Sequence, residues 1–245
     1  MNKESIIFGI YPVFEAIKAN TFIDKLFIQK GIENTTIEEI VSLSNKKGVT
    51  INYVPVEKLN QLSRANHQGV VAIISPINFS NFENLIEKTL ENKSTPLFVV
   101  LDQISDVRNF GAIIRSAECT GVDAIIIQKK GGAPVSGDTV KTSAGAIFKV
   151  PICKVDHIKD AIYYLKSSGV QVIGATEKAS KDLYQINFKL PTAIVMGSEG
   201  KGISKSILNI IDDKAALPML GEINSLNVSV ACGAFLYEAI RQRQD

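Results

Sequence analysis

Asn224-Ser225-Leu226-Asn227-Val228-Ser229 stands between a short apolar run, Ala215 to Met219, and a long amphipathic helical pattern, Asn227 to Arg243. It is polar where a purely structural connection has no need to be. A second junction of this kind lies upstream, where Ala193-Ile194-Val195-Met196 runs into Gly197-Ser198-Glu199-Gly200-Lys201-Gly202 and then Ser204, an N-cap residue type ahead of another helical pattern. A third begins with Leu97 to Leu101, a buried-strand pattern, continues through Asp102-Gln103-Ile104-Ser105-Asp106-Val107-Arg108-Asn109-Phe110-Gly111, and enters a helix predicted over Ala112 to Thr120. Three strand-to-helix turns rich in small polar residues point to one ligand site.

Outward from these junctions the rhythm is strand, helix, strand. Gly121 stops the 112–120 helix, and Ala124 to Gln128 follows as a strand. Further strands are predicted at Lys149 to Ile152, Val170 to Ala175, Ala193 to Met196 and Ala215 to Leu217, with helices at Ile158 to Ser167 and Asn227 to Arg243. This alternation implies an α/β fold with a parallel sheet. The Gly, Ser, Thr and Lys-rich segment from Lys129 to Ala146 reads as a functional loop or a loop holding a short helix. Residues 1–76 form a small α/β domain, with strands at Lys25 to Gln29, Val49 to Val54 and Gly69 to Ser75. Its helices run over Tyr11 to Ala19 and Thr36 to Lys47, the latter capped by Thr35 with Glu38 three residues on. The proline-bounded stretch between, residues 77–95, reads as a linker carrying a helix around Phe82, Leu85, Ile86 and Leu90.

Composition limits the chemistry. Of 245 residues, 45% are hydrophobic and 21% charged, the balance of a core-forming protein. No apolar run reaches the roughly 20 residues that span a bilayer, so a cytoplasmic protein without a membrane partner is expected. Cys119, Cys153 and Cys232 are scattered and His67 and His157 are the only histidines, which removes disulfide frameworks, zinc clusters and most histidine acid/base schemes. The net charge of +2 divides without forming a basic tail: 8 basic and 7 acidic residues in 1–76, 17 and 15 in 96–245. Nucleic-acid contact would need a local patch, and Arg108, Lys129, Lys130 and Lys141 gather beside the proposed loops.

Each motif residue also has an ordinary structural reading. Arg115, among small and apolar neighbours, could pair with Glu118 at a helix edge; Asn109 could cap its helix; Ser225 and Asn227 could cap the last one. Gly197, Gly200 and Gly202 have the spacing GxxGxG, which is not the dinucleotide fingerprint, so an NAD-dependent oxidoreductase is weakly supported and a plain strand-to-helix turn fits the pattern. In the last helix, Val228, Ala231, Phe235 and Ala239 form a core-facing stripe.

Taken in order, Asn109-x5-Arg115, Gly197-x-Glu199-x2-Gly202, and Pro218-Met219 leading to Ser225-Leu226-Asn227-Val228-Ser229 resemble the three motifs of the SpoU (TrmH) group of RNA ribose 2′-O-methyltransferases, in the SPOUT superfamily. Phe8-Gly9-Ile10-Tyr11-Pro12-Val13-x-Glu15-Ala16 and His67-Gln68-Gly69-Val70-Val71-Ala72 extend the resemblance to nearly the whole chain. The domain pairing looks like that of the bacterial large-subunit ribosomal RNA guanosine 2′-O-methyltransferases. The resemblance implies a C-terminal trefoil-knot methyltransferase domain over 96–245, a small RNA-binding domain over 1–76 and a homodimer formed through the catalytic domain. It implies S-adenosylmethionine as methyl donor, no metal, and ribosomal RNA as partner, with transfer RNA or a non-catalytic ribosome-assembly role as alternatives.

By the same resemblance Arg115 contacts the target ribose and Asn109 positions both. Backbone groups around Met196, Gly197, Gly202, Leu217 and Leu226 hold the donor. Glu199 orients substrate or Asn109, and Ser225 and Asn227 face the donor and ribose. A guanidinium stays protonated at neutral pH, so Arg115 would act by lowering the hydroxyl's pKa electrostatically, with a phosphate or water taking the proton. Arg108, Lys129, Lys130 and Lys141 would meet RNA phosphates.

Overall fold

The computed structural model describes residues 6–222 and 225–244, so Asn224 of the third motif lies outside the described residues. The chain divides into two compact units, one reaching to Asn78 and the other starting at Phe79, with Val135–Gly137 grouping with the first.

The smaller unit runs β1 (Ile6–Phe8), α1 (Ile10–Lys18), β2 (Ile23–Gln29), α2 (Thr35–Lys46), β3 (Thr50–Val54), α3 (Val56–Leu62) and β4 (Val70–Ile74). Its sheet has the order β1-β4-β2-β3, with β4 antiparallel to both neighbours and β2 parallel to β3. Alternation along β2 turns Leu26 and Ile28 inward, where they meet Val13 and Ile17 of α1 and Ile37 and Ile40 of α2. The α2 cap is Asn34, one residue before the expected Thr35: its Oδ1 accepts from the N–H groups of Thr36 and Ile37 at 2.9 and 3.3 Å. Strand β1 and helix α3 were not expected, being short and without a full period of pattern.

His67 is buried, and its Nδ1 accepts the Gly69 N–H at 3.0 Å while Nε2 lies 3.0 Å from Asn60 Oδ1. Gln68, at φ 49°, accepts the Ile10 N–H on its Oε1 at 3.1 Å. The two side chains thus brace the turn that launches β4 against the start of α1.

The larger unit runs α4 (Phe82–Asn92), β5 (Leu97–Asp102), α5 (Val107–Cys119), β6 (Ala124–Gln128), α6 (Gly137–Thr142), β7 (Ile152–Val155), α7 (Ile158–Ser167), β8 (Gln171–Ala175), β9 (Lys181–Asp182), β10 (Thr192–Gly197), α8 (Lys205–Leu208), β11 (Asp213–Ala216) and α9 (Val228–Arg243). Its seven strands lie in the order β7-β6-β5-β10-β8-β11-β9, every pair parallel. Because the sheet is covered on both faces, β5 and β10 are buried at every residue and read as continuous apolar runs. Phe98, Val100, Ile126 and Val195 pack with Ile162 and Leu165 of α7 and with Ile86 of α4. The helix expected in the linker is therefore part of this core.

Two expected elements shift by three residues or more, and one expected core face differs. The helix expected at Ala112 starts at Val107, because Asp106 caps it by accepting the Asn109 N–H at 2.8 Å. The strand expected over 149–152 lies at Ile152–Val155, after a 3-10 turn at Ala146–Phe148. Ala231 is only half-buried, and α9 instead buries Val228, Cys232, Phe235, Leu236 and Ala239. At the far end of α9, Arg243 donates to the carbonyls of Thr95 (2.9 Å), Pro96 (3.3 Å), Phe188 (2.8 Å) and Leu190 (3.0 Å), tying the helix to segments that flank β5 and β10. No helix among the described residues is long and apolar enough to cross a membrane.

Candidate active site

A cavity of about 380 Å³ opens at the carboxyl ends of β8, β10 and β11 and is closed on one side by the first turns of α9. Parallel sheets place ligands there, since loops leaving the strand ends converge with helix starts. Met196, Gly197, Gly202, Leu217 and Leu226 line it, as do Glu199, Ser225 and Asn227. Four separate stretches, within 175–177, 196–202, 215–219 and 225–235, thus contribute to one surface.

Glycine is required at Gly197 because the loop folds back on it. A Cβ there would lie 2.1 Å from Gly202 C and 2.1 Å from Ile203 N. The fold-back is held by two backbone bonds, Ser198 N–H to Gly202 O (3.1 Å) and Gly202 N–H to Ser198 O (2.8 Å). Ser204 occupies the α8 cap position without a side-chain capping bond; its N–H instead donates to Asp102 Oδ2 at 2.7 Å, binding this loop to the end of β5. Asp102 is buried and was not singled out from sequence, although its place at a strand end is where such a tie belongs.

The three motifs meet through one amide. Asn227 Nδ2 donates to Asn109 Oδ1 at 2.9 Å and to Glu199 Oε1 at 2.8 Å. Its Oδ1 accepts from Ser229 N–H and Oγ–H at 2.9 and 2.6 Å, which caps α9. Capping and motif linkage are therefore the same arrangement, and Asn227 does both. Asn109 does not cap α5: that role belongs to Asp106, and Asn109 lies inside the first turn, 9% exposed. With its Oδ1 taken by Asn227, its Nδ2 is left as a donor.

Arg115 is not brought into this cluster. Six residues along an α-helix turn a side chain by about 240°, so Arg115 and Asn109 leave α5 on different sides. Arg115 is exposed and does not line the cavity. Nor does it pair with Glu118, whose carboxylate meets Lys149 at 3.2 Å. Lys129 is held by Asp156 at 2.9 Å, whereas Arg108, Lys130 and Lys141 are exposed.

The cavity holds two residues that pattern did not mark, Thr176 and Glu177 after β8; Met219 of the third motif and Ala231 and Phe235, expected only to face the core, line it as well. Position was the usable signal, since Thr176 and Glu177 directly follow a predicted strand. Burial pushes the Cys153 and Cys232 thiols up to about 12, which keeps them protonated and unreactive. Among the described residues, no group of three or more His, Cys, Asp or Glu side chains is placed to hold a metal ion.

Comparison with known proteins gives the family. Residues 96–237 match the SpoU rRNA Methylase family, and residues 6–80 match the RNA 2′-O ribose methyltransferase substrate binding domain. A Staphylococcus aureus protein assigned to the TrmH family of tRNA/rRNA methyltransferases is 35% identical over 99% of this chain and 98% of its own length. Bacillus subtilis YacO, assigned to the same family, is 32% identical over 97% and 95%. The crystal structure of an AdoMet-bound rRNA methyltransferase from Sinorhizobium meliloti superposes with TM-score 0.63 at 26% identity, covering 98% of this chain and 88% of that one. The SpoU methyltransferase AviRb from Streptomyces viridochromogenes, solved with AdoMet, shares the fold with TM-score 0.61 at 23% identity, over 97% and 90% of the two chains. The chain belongs to the SpoU rRNA Methylase family of RNA methyltransferases.

Proposed function

We propose that this protein transfers the methyl group of S-adenosylmethionine to the 2′-hydroxyl of a ribose in RNA, a guanosine of large-subunit ribosomal RNA being the target. The observation that carries the reading is the junction of cavity and network: Asn227 and Glu199 line the cavity and bond to each other, and Asn227 also holds Asn109 at its border. The lining suits the donor. Met196, Leu217, Val228 and Phe235 offer apolar surface for a purine, and the ionisable lining residues, Glu177 and Glu199, are both acidic. When bound, S-adenosylmethionine supplies a methyl group on a sulfonium whose positive charge is lost on transfer.

The chain's own residues supply position and charge. Asn109 Nδ2 donates to a ribose oxygen, with its amide plane fixed by Asn227. Arg115, from the exposed side of α5, lowers the hydroxyl's pKa when RNA lies over it, and the proton leaves to a phosphate or water. Ser225 faces the donor. Arg108, Lys130 and Lys141 meet phosphates, with Lys129 joining them when it exchanges Asp156 for RNA. Residues 1–76 recognise RNA, 77–95 join the parts and 96–245 carry out the transfer. A knotted path and a homodimer through the larger unit belong to the same reading. Support for the first is the placing of β10 between β5 and β8, and for the second the exposed Val230 and Tyr237 of α9. The protein would work in the cytoplasm, where its RNA is.

The test is transfer of labelled methyl from S-adenosylmethionine to unmodified large-subunit ribosomal RNA, with mass spectrometry of the digested nucleosides. 2′-O-methylguanosine is the expected product. Labelling of bulk transfer RNA alone moves the target there, a reading favoured by relatives assigned to tRNA/rRNA methylation. No transfer to either RNA, free or in assembly particles, refutes catalysis.

A further inference from the structure

The charge of the cavity wall is one-sided. Its lining includes two ionisable side chains, Glu177 and Glu199, and no Lys, Arg or His. Their situations differ. Glu199 follows β10 and its Oε1 accepts from Asn227, on the side of the cavity that Asn227 links to Asn109. Glu177 follows β8, which lies on the other side of β10 from β5, and its exposed carboxylate has no ion pair or hydrogen-bond partner in the described chain. The neighbouring Lys178 and Lys201 are exposed and outside the lining.

An unpaired carboxylate facing a ligand cavity contributes most to the binding of cations. The two molecules that must alternate in this cavity, on the reading proposed above, differ mainly in charge. The donor carries a sulfonium; when the carbon–sulfur bond breaks, the electron pair stays on sulfur, the methyl goes to the ribose oxygen, and the product is a neutral thioether. Ammonium, carboxylate, ribose and adenine are common to both. We infer that Glu177 is a specificity-determining residue that favours the cationic donor over its neutral product, so that the spent molecule leaves and a new donor replaces it. A cation stabilised in the ground state is slower to lose its charge, so such a carboxylate belongs away from the reacting atoms, and Glu177 stands across β10 from the side where Asn109 sits.

The test measures binding of S-adenosylmethionine and S-adenosylhomocysteine to the full chain by calorimetry, at low and high salt, for wild type, Glu177→Gln and Glu177→Asp. A carboxylate acting across several ångströms of partly solvated cavity discriminates by roughly threefold to tenfold. Glu177→Gln is expected to weaken the donor by that factor with the product little changed. Glu177→Asp, which keeps the charge, is expected to preserve most of the preference, and salt is expected to erode it in wild type. Equal weakening of both molecules overturns the inference, because Glu177 would then touch a part they share. Unchanged affinities for both overturn it as well. Failure of wild type to bind either molecule is a separate result that removes the donor reading and the inference with it.

Discussion

Replacing Asn227 with alanine removes the one side chain among the described residues that joins all three motif segments. The variant loses two bonds from Nδ2, to Asn109 and Glu199, and the capping bonds to Ser229. Loss of an N-cap costs about 0.5–2 kcal/mol, and the lower half applies here because the end of α9 is solvent-accessible. Asn109, 9% exposed, is left with an unpaired carbonyl, which costs about 1–3 kcal/mol. The combined loss is about 2–4 kcal/mol, or a fall of roughly 4–16 °C in melting temperature for a domain of this size. Asn227→Asp separates the two roles: an aspartate caps as well as asparagine, but it cannot donate, and it sets a carboxylate against Glu199. Asp is therefore expected to recover the capping part of the stability while methyl transfer in single-turnover assays stays at least a hundredfold down, about 2.7 kcal/mol of transition-state stabilisation. Wild-type turnover in Asn227→Asp, or an unchanged melting temperature in Asn227→Ala, would refute the claim that this amide holds the site together.

Arg115→Ala is expected to change the melting temperature little, since the side chain is exposed and unpaired in the described chain, yet to nearly abolish methyl transfer; full turnover would remove Arg115 from the site. Gly197→Ala forces a methyl group to within 2.1 Å of backbone atoms, so calorimetry should show donor binding lost through displacement of the 198–202 loop. Glu238, held below the usual carboxyl value of 4.5 mainly by hydrogen bonding to Arg241, contributes stability that is complete above that value and lost as pH falls through its lower folded value; acid unfolding curves should lose that component in Glu238→Gln. Removing residues 1–76 is expected to weaken RNA binding while donor affinity, measured by calorimetry, is retained.

How legible the molecule was depends on whether the information is local. The runs Leu97–Leu101 and Ala193–Met196 announce buried parallel strands because both faces are covered and every residue is apolar. The start of α5 was misplaced because Val107-Arg108-Asn109 carries little apolar period; Asp106, the residue that fixes it, is one of several polar residues in its turn. That Asn109 is buried could not be read, since only its bond to Asn227, 118 residues away, makes burial of an amide tolerable. Arg115 is marked by its motif, but the mark does not include helical phase, which sets the residue on the exposed side of α5, outside the cavity lining. Glu177 carries no motif; its place after a predicted strand was the one local signal, and that it lines the cavity follows from β8 lying beside β10.

The pinning of α9 at both of its ends has a kinetic consequence. Asn227 closes a loop of 118 residues to Asn109, and Arg243 one of 148 residues to Thr95. Contacts so distant must wait for the intervening chain to be ordered, because closure entropy has to be met before they form. In refolding from denaturant, helix and sheet signals should therefore return first, and the capacity to hold the methyl donor should lag behind them as a distinct, slower phase.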